Sequence, residues 1–115
     1  MKEVLKGWGR EEIWADEADY CGKFLIFHAG GTCSMHFHKT KDETWFIQSG
    51  LFKVTWIDTK TAKRHTKYLR PGETWHNPPL LPHRLYCEAP GTVIEVSTYD
   101  DPDDNYRVMP GDSQA

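Results

Sequence analysis

Apolar and polar residues alternate along this chain in short runs, each too short for a helix and each bounded by glycine, proline or a charged cluster. Residues 23–29, Lys-Phe-Leu-Ile-Phe-His-Ala, are rich in β-forming side chains and end at Gly30-Gly31, which predicts a strand followed by a turn. Comparable runs at 32–38, 43–48, 51–58, 64–69, 83–88 and 92–98 predict further strands at a spacing typical of sandwiches and barrels. Runs 43–48 and 51–58 meet at a short turn with Gly50 as its turn residue, so those two are expected to form a hairpin, with the next turn at 58–61. Residues 11–19 are acidic and their apolar positions follow no helical period, which predicts irregular chain. The carboxylate run at 100–104 reads as a solvated turn and residues 111–115 as a fraying end.

Composition narrows this to one small all-β domain over residues 1–115. Seven prolines, nine glycines and five each of Trp, Tyr and Phe fit many turns between aromatic-rich strands. No apolar run nears the roughly 20 residues that span a bilayer, so no membrane partner is expected. Residues 1–6 lack a secretory pattern, and the expected location is cytoplasmic. Cys21, Cys33 and Cys87 are odd in number and show no paired ligand spacing, which fits reduced thiols. The net charge is −3 with cations scattered along the sequence, so nucleic acid is not an expected partner.

The chemistry concentrates around 36–43. Strand parity points His36 and His38 to one face, with Ser34 beside them, while Met35 and Phe37 point away. Glu43 opens the next strand and carries Trp45 and Ile47 on its own face; a carboxylate beside two imidazoles suits a divalent transition metal. His83 supplies a third imidazole if its strand lies opposite, with Leu85 and Cys87 as an apolar flank. Any single histidine is more often a surface or hydrogen-bonded residue than a ligand, and Trp45 is as readily core packing as a cavity wall.

The whole pattern, Gly30-x5-His36-x-His38-x4-Glu43-x6-Gly50, resembles the first motif of the cupin superfamily at every position. Pro71-Gly72 and the run 78–83 ending at His83 resemble its second motif, without the usual glycine before the histidine or the asparagine after it. The resemblance implies a double-stranded β-helix, or jelly-roll barrel, with His36, His38, Glu43 and His83 holding one divalent ion such as Mn, Fe, Zn or Ni. Within the cupins the chain is similar to the cupin domain of bifunctional mannose-6-phosphate isomerases. That likeness is carried by Trp8-Gly9, Glu12, Tyr20, Lys23, the metal motif with Ser34 and Trp45, the triplets at 83–85 and 94–96, and residues 104–107. Residues 39–42 depart from that family's shorter basic spacer, and its nucleotidyltransferase half has no counterpart. Residues 95–99 also resemble small sugar isomerases of the D-lyxose type.

These likenesses imply a carbohydrate substrate and aldose–ketose isomerisation through an enediol. By position the candidates for the base are Glu95, His76 and Lys23. Glu95, between Ile94 and Val96, faces either the cavity or solvent. For a substrate phosphate the candidate cations are Arg107, Arg84, Lys39 and Lys41, with Arg107 first by resemblance, though a salt bridge to the 100–104 carboxylates explains Arg107 equally well. The same ligands also serve dioxygenases and organosulfur lyases, although the lyases favour tyrosine where this chain has Trp45; a sugar- or metal-binding module without turnover is a further alternative. Phe24, Ile26 and Phe46 fall on strand faces away from the cavity, which predicts a homodimer.

Overall fold

The computed structural model describes all residues from Met1 to Ala115. In chain order the strands are β1 (Lys2–Lys6), β2 (Gly9–Asp16), β3 (Cys21–Phe27), β4 (Met35–Phe37), β5 (Glu43–Ile47), β6 (Leu51–Asp58), β7 (Lys63–Leu69), β8 (Thr74–Asn77), β9 (His83–Ala89), β10 (Gly91–Ser97) and β11 (Tyr106–Met109), followed by a 3-10 turn at Asp112–Gln114. They form two antiparallel sheets, β1-β2-β3-β10-β5-β8 and β11-β4-β9-β6-β7, arranged as a jelly-roll barrel. No helix is long and apolar enough to cross a membrane.

Inward-facing residues change character along each strand, and this divides the interior. Phe27 on β3, Ile47 on β5, Leu85 and Cys87 on β9 and Val93 on β10 join Phe52, Val54 and Leu69 in one apolar cluster. Further along the same faces stand Lys23, Glu43, His83 and Glu95, all buried. One end of the barrel is therefore packed hydrocarbon, each large side chain contributing about 1.5–3 kcal/mol by leaving water, and the other end is a polar cavity. Trp8 stacks on Phe27 with centroids 4.2 Å apart, and Phe27 meets Phe52 edge-on at 5.2 Å, closing the apolar end.

Several expectations are corrected. β5 and β6 are not a hairpin: β5 pairs with β10 and β8, whereas β6 pairs with β7 and β9, so the turn at Gly50 carries the chain from one sheet to the other. Residues 11–16 are strand rather than irregular chain; the β1–β2 hairpin extends the first sheet and lets acidic residues such as Glu11 reach buried cations. The C-terminal residues are tied down, with Asp112 accepting from the Thr32 N–H at 2.8 Å and the Gly7 N–H donating to Ser113 Oγ at 3.1 Å. The carboxylates at 100–104 are not merely solvated, because Asp100 and Asp104 bind groups of the site. The short strands β1, β8 and β11 lack a clear alternation in sequence.

A candidate metal centre in the barrel

His36 on β4 lies directly across from His83, the first residue of β9, and His38 follows one residue after β4 ends. A ring nitrogen from each converges, all three within 4.8 Å of one another. Glu43 approaches from the other sheet: its Oε1 lies 3.0 Å from His83 Nε2 and 3.7 Å from His38 Nε2.

The opposite edge of each imidazole fixes its tautomer. His36 Nδ1 is 2.9 Å from the Ser34 carbonyl, with Ser34 Oγ also at 2.9 Å; His38 Nδ1 is 2.6 Å from the Asp104 carbonyl; His83 Nδ1 is 2.9 Å from the Leu81 carbonyl. A carbonyl only accepts, so each Nδ1 carries the hydrogen and each Nε2 turns a lone pair inward, the arrangement that metal-binding histidines need. His83 Nε2 is buried and makes no hydrogen bond despite its closeness to Glu43. A lone pair and a carboxylate oxygen 3.0 Å apart repel unless a cation lies between them. Burial, reinforced by the neighbouring His83, pushes His36 down to about 3, so it remains a neutral donor. Burial opposes charge on His38 too, but the Glu43 carboxylate and the Asp104 carbonyl raise it above the usual histidine range. Burial likewise works against ionised Glu43, yet the neighbouring Glu95 carboxyl, the adjacent imidazoles of His38 and His83 and the charge of Lys41 hold it well below the usual carboxylate value.

Charge balance gives a second test of fit. Lys23 Nζ lies 3.4 Å from Glu11 and 2.8 Å from Asp100; Lys41 Nζ lies 3.1 Å from Glu95, 3.1 Å from Asp100 and 3.5 Å from Glu43. With all four carboxyls ionised, two cations face four carboxylates, a deficit that one divalent ion offsets. Burial, then the charge of Glu43, pushes Glu95 up to about 8, as expected for a carboxyl in a group with excess negative charge. The donor set and its charge fit a divalent metal held by His36, His38, His83 and Glu43.

The cavity beside these ligands measures about 420 Å³. Ser34, Lys23, Trp45, Glu95 and Arg107 line it, so the structure gathers five of the expected site residues there. Trp45 Nε1–H donates to Glu95 Oε1 at 3.1 Å, placing the Glu95 side chain inside the barrel. Arg107 pairs in register with His36 and reaches the mouth. Two expected residues are elsewhere. His76 is exposed on β8, 2.5 Å from Asp42, because parity turns it outward between Trp75 and Asn77. Arg84 does not line the cavity, since it follows inward-facing His83 and therefore faces outward. Lys39 lies over the Tyr106 ring at 4.6 Å, and Lys41 is a buried ion-pair partner rather than a free cation.

Sequence reasoning did not identify Asp104, whose carboxylate accepts the N–H groups of Lys39, Thr40 and Lys41 at 2.7–3.0 Å while its carbonyl holds His38. It also missed Asn77, which is buried opposite Glu43 in register and donates to it at 3.5 Å. The signal for Asp104 is its place in the 104–107 block, whereas nothing in the sequence marks Asn77.

The cupin family profile matches residues 22–111, and the chain belongs to that family. Among solved structures it is similar to KdgF from Halomonas sp., with 21% identity and a TM-score of 0.70 over 82% of this chain and 81% of that one. It is also similar to oxalate decarboxylase from Bacillus subtilis, with 17% identity and a TM-score of 0.80 over 93% of this chain. The oxalate decarboxylase of Lactobacillus farciminis, in a formate complex, matches at 16% identity and a TM-score of 0.78 over 93% of this chain. The matched region spans 30% of the Bacillus protein and 33% of the Lactobacillus protein. At these identities the likeness is one of fold. No curated protein sequence matches the chain significantly.

Proposed function

We propose that this cupin is a metal-dependent enzyme that interconverts an aldose and a ketose through an enediol. The observation that carries the reading is Glu95: a buried carboxyl facing the cavity next to the ligand cluster, with its pKa raised to about 8. Such a group is suited to taking a proton from a sugar carbon and returning it to the neighbouring one near neutral pH. His76 lies outside the cavity and Lys23 is committed to Glu11 and Asp100, so Glu95 is the base in this proposal. Loss of the carbon-bound proton leaves an electron pair that forms the enediol double bond and shifts charge to the former carbonyl oxygen; when bound, the divalent ion would supply positive charge there. The sugar chemistry rests on the isomerase-like sequence blocks. Metal-enzyme chemistry is supported by oxalate decarboxylase, an enzyme by name whose Mn(II) centres are the subject of one matched structure, which makes Mn(II) the first ion to test.

The test is a panel of aldoses and ketoses with Mn(II)-loaded protein in deuterated water. Chelator-sensitive interconversion with deuterium entering the product is expected, and Glu95→Gln should keep its metal while losing about 10²-fold or more in rate. Full metal occupancy without interconversion of any member would overturn the isomerase reading. One observation favours a second reading, a sugar-binding module: both Glu95 oxygens are engaged, Oε1 by Trp45 and Oε2 by Lys41. Saturable sugar binding without turnover would select it.

A further inference from the structure

The cavity is lined by residues of one edge strand of each sheet, β1 and β11, and by Ser113 and Gln114. Parity along β1 turns Lys2, Val4 and Lys6 into this opening, and Arg107 reaches it from β11. These three cations differ from Lys23 and Lys41 deeper in the same cavity. The inner pair is spent on buried and half-buried carboxylates, whereas Lys2, Lys6 and Arg107 make no ion pair, and Glu11, the nearest register neighbour of Val4, is bound to Lys23. Asp16 and Asp101 also line the mouth without pairing to them.

We infer that Lys2, Lys6 and Arg107 form an anion-recognition rim, and that the molecule entering the cavity carries a carboxylate or phosphate on the end remote from the metal ligands. The assignment rests on the carbohydrate reading above and deepens it by naming an acidic sugar. The geometry favours this polarity. Lys2, Lys6 and Arg107 stand at the mouth while Glu95 and the histidines lie deeper in the same cavity, so an anion held at the rim leaves the neutral end facing Glu95 and the histidines. A guanidinium and two ammonium groups make charge-assisted hydrogen bonds to carboxylate or phosphate oxygens.

The experiment measures binding separately from turnover, using titration calorimetry on Mn(II)-loaded protein with a hexose, its 6-phosphate and its uronate. The 6-phosphate or the uronate should bind at least about tenfold more tightly than the hexose, and the stronger of the two identifies the anion. Lys2→Ala/Lys6→Ala and, separately, Arg107→Ala should each remove most of that preference, leaving metal content and hexose binding unchanged. Lys60→Ala/Lys63→Ala, altered on an exposed hairpin outside the cavity, should change nothing. Equal binding of neutral and acidic sugars, no binding of either acidic sugar, or a preference that survives both rim variants overturns the inference. Preferential binding of an acidic sugar without interconversion would leave the rim in place and count against the isomerase reading alone.

Discussion

At the scale of single residues, the site depends on lone pairs turned toward a shared point, and this gives a direct prediction. His83→Ala removes the buried Nε2 that faces Glu43, so metal content after dialysis against Mn(II) should fall to a small fraction of the wild-type value. The same preparation should lose the metal-dependent rise in melting temperature, which for the wild type reflects about 2.7 kcal/mol at a ligand excess of 100 times Kd. Asp100 gives a pH prediction. Partial burial opposes its ionisation, but Lys41 and Lys23 lower its pKa below the usual carboxylate value. A carboxyl lowered in the folded state stabilises the protein above its ordinary pKa, and that contribution disappears as pH falls through the lowered value. Urea unfolding should therefore show stability falling from pH 6 toward pH 3, and Asp100→Asn should flatten part of this drop while costing about 1–3 kcal/mol at pH 6. His36, His38 and Glu43 were legible in the sequence because parity and spacing settle their placement. Lys41 was not: nothing local shows that its ammonium meets Glu95 and Asp100, 54 and 59 positions away.

The elements show why motif glycines with the same backbone requirement carry different weight. Gly30 and Gly50 both adopt the left-handed region, with φ of 81° and 87°. A Cβ at Gly30 would meet nothing within 4 Å, whereas at Gly50 it would lie 2.6 Å from the Ala89 carbonyl oxygen and 2.8 Å from Gly91 Cα. Gly30→Ala should cost about 1 kcal/mol in chemical denaturation, from backbone strain alone. Gly50→Ala should cost about 3 kcal/mol or more, because overpacking adds to the strain. Equal costs would show that the sheet-to-sheet crossing does not depend on that close approach. The crossing also explains the failed hairpin expectation: a short connection ending in glycine looks like a hairpin turn, but strand order depends on pairings with β9 and β10 much later in the chain. The strands around the core were legible because their inward residues are apolar. β2 was hidden because its inward face includes Glu11, whose partner Lys23 lies on the neighbouring strand.

Across the whole molecule the two outer faces differ in character. The β6–β7 region carries Lys53, Lys60, Lys63, Arg64, Lys67 and Arg70, six of the fourteen lysines and arginines of the chain. The other sheet places Phe24, Ile94 and Phe46 side by side across β3, β10 and β5, with Trp14 packed against Phe24 at 6.0 Å between ring centroids. Phe46, Trp14 and Val96 are 42%, 46% and 51% exposed. Water against such a contiguous apolar row is unfavourable, and the proposed cover is a second copy using the same face, since an isologous contact matches apolar to apolar and leaves the cationic hairpin free. Sedimentation at micromolar concentration should give a dimer, and Phe46→Glu, placed at the β5 end of the row, should give a folded monomer that still binds metal, because Phe46 points away from the inward-facing Glu43, Trp45 and Ile47. A wild-type monomer would show that the row stays exposed, and a dimer unaffected by Phe46→Glu would move the contact to another surface.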